Sequence, residues 1–409
     1  MLKLSALQLL LSTYLCGQAV FASPTSHPSA GKQQSPSWAA ALGATCAKFN
    51  VAVPAKGNNV VAEGPRVDNN IDAVTFMWDA DTWSHPNSTV RITGTIPVDQ
   101  TFNIVAQLCV PSSGDKSEIL QIATHGAGFD RRYWDVELEP ENYSYVRAAI
   151  KAGYSILTYD RLGVGESDKP DAYTMVQAPI QLEILQQISL MARSGKISQL
   201  AQAQITSGVT LPKFSKFVHV GHSYGSILTS ALLAKYPDST DGAILTGFVL
   251  SPQTSKFSQS ARGYQFAKEL DPVKWADRGS GYITNGALYS FHTHFLAGGT
   301  FDPKLLEYGF DVRQPTTVGE SRSSIAIYGL PAHNFTKPLQ LFLAENDNPV
   351  CDGDCKGAYN LTQIRAALYP NAAVLEDYIQ PATAHGFTLQ KNATAGYQVM
   401  FDFFGRNGL

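Results

Sequence analysis

The chain has 409 residues, of which 44% are apolar, and 31 Lys and Arg stand against 34 Asp and Glu for a formal charge of −3. Such a composition excludes a wholly disordered chain and supports one large domain with an insertion, or two domains. No cluster of basic residues stands out, which argues against nucleic acid as a partner.

The first 22 residues, MLKLSALQLLLSTYLCGQAVFA, carry Lys3, an apolar stretch and small residues ending at Ala22. This is the pattern of a secretory signal peptide cleaved after Ala22, and it predicts a secreted, extracellular protein. Ser12, Thr13 and Gln18 interrupt the run before it reaches the length a membrane span requires, about 18 apolar residues, so no stable membrane anchor is expected. Asn-x-Ser/Thr acceptors at Asn87, Asn142, Asn334, Asn360 and Asn392 agree with export, each an expected glycosylation site. Removing the signal takes away Cys16 and leaves Cys46, Cys109, Cys351 and Cys355, an even set suited to two disulfides in an oxidising compartment. Cys351 and Cys355, in CDGDC, are near enough to staple one loop, which leaves Cys46 with Cys109. A metal site built on CDGDC lacks a second Cys/His pair at matching spacing.

Residues 23–44, rich in Ser, Pro and Gln, are expected to form a mobile arm. A core then starts at residue 45 and runs to 254. From Cys46 to Cys109 the stretches CAKFNVAV, AVTFMW, TVRITGTIPV and FNIVAQLCV have strand character, an antiparallel start to a sheet. The rhythm then changes: EILQIATHG is a strand, YSYVRAAIKAG a helix, YSILTYD a strand, QLEILQQISLMARSG a helix, and the apolar run before GHSYG a strand with a helix after it. AILTGFVLS follows as another buried strand. Alternation of this kind predicts a mostly parallel sheet covered on both faces. It breaks over 255–337, where aromatics, Gly and Asp crowd and YQFAKEL looks helical. An insertion of that length is expected to be a cap over a site. The alternation resumes over 338–409 with a strand at PLQLFLAEND, a helix near AYNLTQIRAALYP, a strand at AVLEDYI and a last helix at ATAGYQVMFDFF.

The chemistry concentrates in GHSYG at 221–225. Gly221 and Gly225 bracket Ser223 where a strand meets a helix, the G-x-S-x-G turn that lifts a nucleophilic Oγ clear of a sheet. An alcohol needs a base within hydrogen-bond reach and an acid to orient it, on loops at the carboxyl ends of neighbouring strands. Asp347 ends the strand LQLFLA, with Glu345, Asp352 and Asp354 as competing loop acids, and His385 in TAHGF is the one histidine after it. His222 is expected to pack locally, and His292 and His294 to be residues of the cap rather than metal ligands. The backbone N–H of Tyr224 and that of Ala127, with Gly128 second, are candidates for an oxyanion hole, because THGAGFD is a glycine-rich turn after an early strand.

Four segments in this order, HGAG at 125–128, DRLGVGES at 160–167, GHSYG, and the elements around Asp347 and His385, resemble the α/β-hydrolase superfamily from about Thr89 to the C-terminus. The resemblance implies an eight-stranded, mostly parallel sheet flanked by helices, a lid in the place of 255–337 before the last two strands, and a structural role for Asp160, Gly163, Gly165 and Ser167. It also implies a Ser223–His385–Asp347 triad acting by acyl transfer without a cofactor. Residues 38–88 are not typical of it. A small-molecule carboxylic ester with an apolar acyl or alcohol group is the expected substrate, with Tyr282, Tyr289, Phe291 and Phe295 as cap aromatics. The alternatives are a peptidase of the prolyl-aminopeptidase type, which would hold a free amine on acids such as Glu269, Asp271 and Asp277, and a non-catalytic binding protein on the same fold.

Overall fold

The structure, a computed structural model, describes residues 36–82, 91–206, 208–251 and 261–409. The expected signal at 1–22, the acceptor at Asn87 and the first residues of the 255–337 segment lie outside them. In chain order the strands are β1 (Ala44–Ala62), β2 (Ile92–Pro111), β3 (Ile119–Thr124), β4 (Ser155–Tyr159), β5 (Lys216–His222), β6 (Gly242–Thr246), β7 (Tyr264–Phe266), β8 (Tyr282–Asn285), β9 (Thr316–Thr317), β10 (Leu339–Asn346) and β11 (Leu375–Ala384). Eight of them form one sheet in the order β1-β2-β4-β3-β5-β6-β10-β11. From β4 to β11 every neighbouring pair is parallel, and β1 and β2 are antiparallel additions at one edge.

The central strands explain themselves. β3, β4 and β6 are buried along their whole length, as continuous apolar runs require when both faces of a sheet are covered. Leu120, Ile122 and Leu157 meet the helices Ala178–Arg193 and Tyr224–Lys235 on one face. Ile119, Ala123, Ile156, Val218 and Val220 meet the helices Tyr145–Lys151 and Ala393–Arg406 on the other. Cys46 stands opposite Cys109 in the β1/β2 register, and the two form a disulfide with Cα atoms 4.1 Å apart.

Three expectations fail locally. AVTFMW is no strand; it lies in a helix, Asn70–Asp81, because Asn69 accepts a hydrogen bond from the Asp72 N–H and starts it. Its apolar residues then sort by helical spacing, Ala73 and Phe76 inward and Ile71, Val74 and Trp78 outward. The arm ends earlier than residue 44: Ser37–Ala41 is a helical turn with Ala39 buried and the Trp38 ring under the Arg147 guanidinium, and β1 begins at Ala44. YQFAKEL divides into β7 and a single turn, Ala267–Leu270.

Between β6 and β10 the described part of the insertion carries the small antiparallel sheet β7-β8-β9 and the helices Leu288–Phe295, Pro303–Val312 and Val318–Ser323. Of the acceptor asparagines, Asn142, Asn334 and Asn360 are exposed. Asn392 is half-buried, with its amide donating to the Pro381 carbonyl and its Oδ1 accepting from Thr383.

Candidate active site

β5 delivers Ser223 into a conformation with φ 53° and ψ −117°, left-handed for a residue that is not glycine. The two glycines make that turn fit. A Cβ on Gly221 would stand 2.7 Å from the Ser226 Cα and 2.8 Å from the Gly225 carbonyl oxygen, and one on Gly225 would collide with the carbonyl oxygens of Thr124 and His125 on the neighbouring strand and its loop. Thr246, at the end of β6, clamps the turn: its carbonyl accepts from the Ser223 N–H at 2.9 Å and from Ser226 Oγ at 2.8 Å, while its hydroxyl donates to the Gly221 carbonyl at 2.9 Å.

Strand ends bring the partners in. His385 follows β11, and its Nε2 lies 2.8 Å from Ser223 Oγ. Asp347 follows β10, and its Oδ2 lies 2.8 Å from His385 Nδ1. Its other oxygen accepts from the Val350 N–H, capping the short helix Asn348–Cys351. Asp347 and His385 are 0% and 1% exposed, so the carboxylate is held by hydrogen bonds away from water. Of the competing acids, Glu345 pairs with Lys356, Asp354 receives the Lys356 N–H, and Asp352 is exposed. Cys351 and Cys355 are joined, Cα atoms 4.9 Å apart. That link closes the loop in which the Cys351 and Gly353 N–H groups both donate to the Asp347 carbonyl.

Around His385 the environment is aromatic and neutral. His222 lies 4.9 Å away between ring centroids, His294 at 5.6 Å and Phe295 at 6.0 Å. Burial holds both His222 and His294 well below the ordinary imidazole range, with neighbouring positive groups adding to the effect. His222 bonds Thr246 and stacks on Tyr133, a packing residue as expected. His292 lies against Phe301 and His294 against Phe295, and among the described residues no group of three His, Cys, Asp or Glu is placed to hold a metal ion.

Ala127 and Tyr224 both line the cavity that contains Ser223 and His385, and neither backbone N–H has an acceptor among the described residues. Gly126 lets the HGAG turn approach Ser223, since a Cβ there would stand 3.0 Å from the Ser223 Cβ. Gly128, φ 80°, packs on Phe295, and its carbonyl accepts from the Gln314 N–H at 2.9 Å. The turn is fixed from below by Arg161, whose guanidinium donates to the His125 and Gly126 carbonyls, to Gln181 and to Glu320, and lies 4.6 Å from the centre of the Tyr224 ring. Glu320, 1% exposed, also accepts from Gln181, Thr316 and the Thr317 N–H. Composition gave no sign of this buried pair. Its one signal is position, since Arg161 directly follows Asp160 in DRLGVGES. Asp160 itself braces that loop through the Arg131 and Glu166 N–H groups, with Gly165 pressed against its carboxylate and Ser167 donating to its carbonyl.

The cavity holds about 520 Å³, within the range of small-molecule sites. Ile227, Phe248, Val249, Ile325, Tyr328 and Val350 supply apolar wall, and Arg262, Glu320, Asp81 and His294 polar wall. The aromatics singled out from sequence do not line it. Tyr282, Phe291 and Phe295 are buried in packing, and Tyr289 is 72% exposed.

A family model described as the alpha/beta hydrolase family matches residues 122–391. No curated protein matches the sequence. Among solved structures, the chain is similar to an esterase from Thermogutta terrifontis at 13% identity, covering 76% of this chain and 96% of that one with a TM-score of 0.48. It is similar to a bromoperoxidase from Bacillus anthracis at 17%, covering 75% and 96% with a TM-score of 0.48. It is also similar to a monoacylglycerol lipase from Paleococcus ferrophilus at 14%, covering 70% and 94% with a TM-score of 0.45.

Proposed function

The chain belongs to the alpha/beta hydrolase family, and from that premise we propose that it is a secreted serine hydrolase cleaving carboxylic esters through an acyl-enzyme. One observation carries the reading: Ser223 Oγ, His385 and Asp347 form a continuous chain of 2.8 Å contacts, and Ser223 and His385 line a cavity with both apolar and polar wall. In it, Ser223 Oγ attacks the ester carbonyl carbon while His385 Nε2 takes its proton, and Asp347 stabilises the imidazolium that forms. The Ala127 and Tyr224 N–H groups receive the charge that develops on the carbonyl oxygen. Collapse breaks the bond to the alcohol, which leaves with the proton from Nε2. Water, deprotonated by the same nitrogen, then attacks the acyl carbon, and the carboxylic acid leaves as Ser223 recovers its proton.

Ester rather than peptide is supported by where the acids sit. Glu269 accepts from the Asn70 N–H, Asp271 caps Val273 and Lys274, and Asp277 pairs with Arg278; none lines the cavity to hold a substrate amine. The complete triad disfavours a non-catalytic binder. Export is supported by the signal-like N-terminus and the two disulfides; among the described residues no helix is long and apolar enough to cross a membrane. An organophosphonate probe should label Ser223, and a panel of p-nitrophenyl esters should be turned over while aminoacyl arylamides are not. Absence of labelling in folded protein overturns the serine mechanism, and a preference for the arylamides overturns the ester assignment.

A further inference from the structure

Arg262, half-buried just before β7, lines the same cavity as Ser223 and His385. Among the described residues lining that cavity it is the lone lysine or arginine. Arg161, Arg131 and Arg132 each have a carboxylate partner, Glu320, Asp160 and Asp130, while the buried Arg313 has none among the described residues and is satisfied by the Asn285 and Phe310 carbonyls. Arg262 has no carboxylate within ion-pair distance among the described residues. Its Nη1 donates to Tyr264 Oη at 3.2 Å, and its Nε is buried with no hydrogen-bond partner. A guanidinium carries five donors, and leaving a buried one unsatisfied is costly unless something else accepts from it.

His294 lines the same cavity, near enough to feel both the Arg262 charge and the His385 ring. It is buried, lines the cavity, lies 5.6 Å from the His385 ring, and its Nδ1 also has no partner. Burial and the Arg262 charge hold its imidazole well below the ordinary range, so it serves as a neutral hydrogen-bonding group. Of the acids on the wall, Glu320 is saturated by Arg161, Gln181, Thr316 and Thr317.

We propose that Arg262 and His294 form a carboxylate-binding subsite beside the nucleophile, so that the substrate is an ester whose acyl or alcohol part carries a free carboxylate. A carboxylate accepts from a guanidinium through two parallel hydrogen bonds, and the unpartnered donors provide the fork that such recognition uses. The proposal rests on the serine esterase reading above, which supplies the reacting end of the same cavity.

The test compares three p-nitrophenyl esters of similar length: hexanoate, the monoester of adipate, and ε-aminohexanoate. The wild-type protein is expected to prefer the adipate monoester, and Arg262→Gln to lower the kcat/KM ratio of adipate to hexanoate by about 10- to 100-fold, as for loss of a charge-assisted hydrogen bond. Arg262→Lys should restore part of the preference. An unchanged ratio in Arg262→Gln, or a wild-type preference for the aminohexanoate, overturns the subsite. Because the readout is a ratio within one protein, partial misfolding does not imitate it. Binding of adipate monomethyl ester to Ser223→Ala, by calorimetry, separates the two readings. Weaker binding in Ser223→Ala/Arg262→Gln supports the subsite even if no ester is hydrolysed, and equal binding overturns it.

Discussion

A Cβ on Gly225 would stand 2.1 Å from the carbonyl oxygen of Thr124, so no methyl group fits between the helix that follows Ser223 and the end of β3. This close approach joins the turn at Ser223 to the strand that leads into the HGAG turn, so the segments carrying Ser223 and Ala127, which line one cavity, are held together. Gly225→Ala is expected to lower stability by about 1–3 kcal/mol through overpacking and to depress turnover more than stability alone accounts for. Urea unfolding and p-nitrophenyl ester kinetics on the purified variant check this. Wild-type values for both would mean that the backbone yields cheaply there.

Ser223→Ala and His385→Ala should each reduce kcat by about 10⁴-fold or more, and the double variant should be little worse than either, since the groups act as a unit. Circular dichroism establishes that each variant is folded. Independent, multiplying losses would show that the 2.8 Å contact between Oγ and Nε2 is not the working one.

The disulfide between Cys351 and Cys355 closes a very short loop, so its entropic stabilisation of the fold is small. Its effect should instead appear in Asp347, whose carbonyl receives two N–H groups of that loop. Replacing both cysteines by serine should therefore lower kcat while leaving the thermal midpoint within a few degrees. The opposite pattern, a large loss of stability with full activity in the folded fraction, would rule out positioning of the acid as its purpose.

His219 is buried in β5, where loss of hydration, with the nearby Arg193 charge, pushes its imidazole down to about 3. In the unfolded chain it takes up a proton near the ordinary 6.5. The stability linked to its neutral form is thus complete above pH 6.5 and is lost as pH falls from there towards 3. Between pH 7 and pH 5 the loss is about 2 kcal/mol for this one group. His219→Gln should reduce the pH 7 to pH 5 difference in unfolding free energy by about that amount. An undiminished difference would mean that the folded protein already protonates His219.

Glycines, strand runs and turn residues declared most of the frame. GHSYG, with two glycines between an apolar strand and an apolar helix, reads as a sharp turn, and uninterrupted runs such as ILQIAT imply a sheet covered on both faces. Errors fell where local preference was ambiguous. AVTFMW has strand composition, yet a capping residue four positions upstream and burial against β7 made it helix.

The sequence by itself singled out Ser223 as the candidate nucleophile and narrowed the candidate base to His385, because such a turn is written in contiguous residues and one histidine follows the acid region. Tertiary structure alone decided among the loop acids, since the choice of Asp347 over Glu345, Asp352 and Asp354 is a matter of which oxygen reaches His385 Nδ1. It alone joined Arg161 to Glu320 next to the HGAG turn, removed the expected cap aromatics from the cavity, and set Arg262 and His294 on the wall of the cavity that Ser223 and His385 line. These groups come from segments far apart in the chain, and no spacing in the sequence encodes a distance that only the packing of the insertion against the sheet creates.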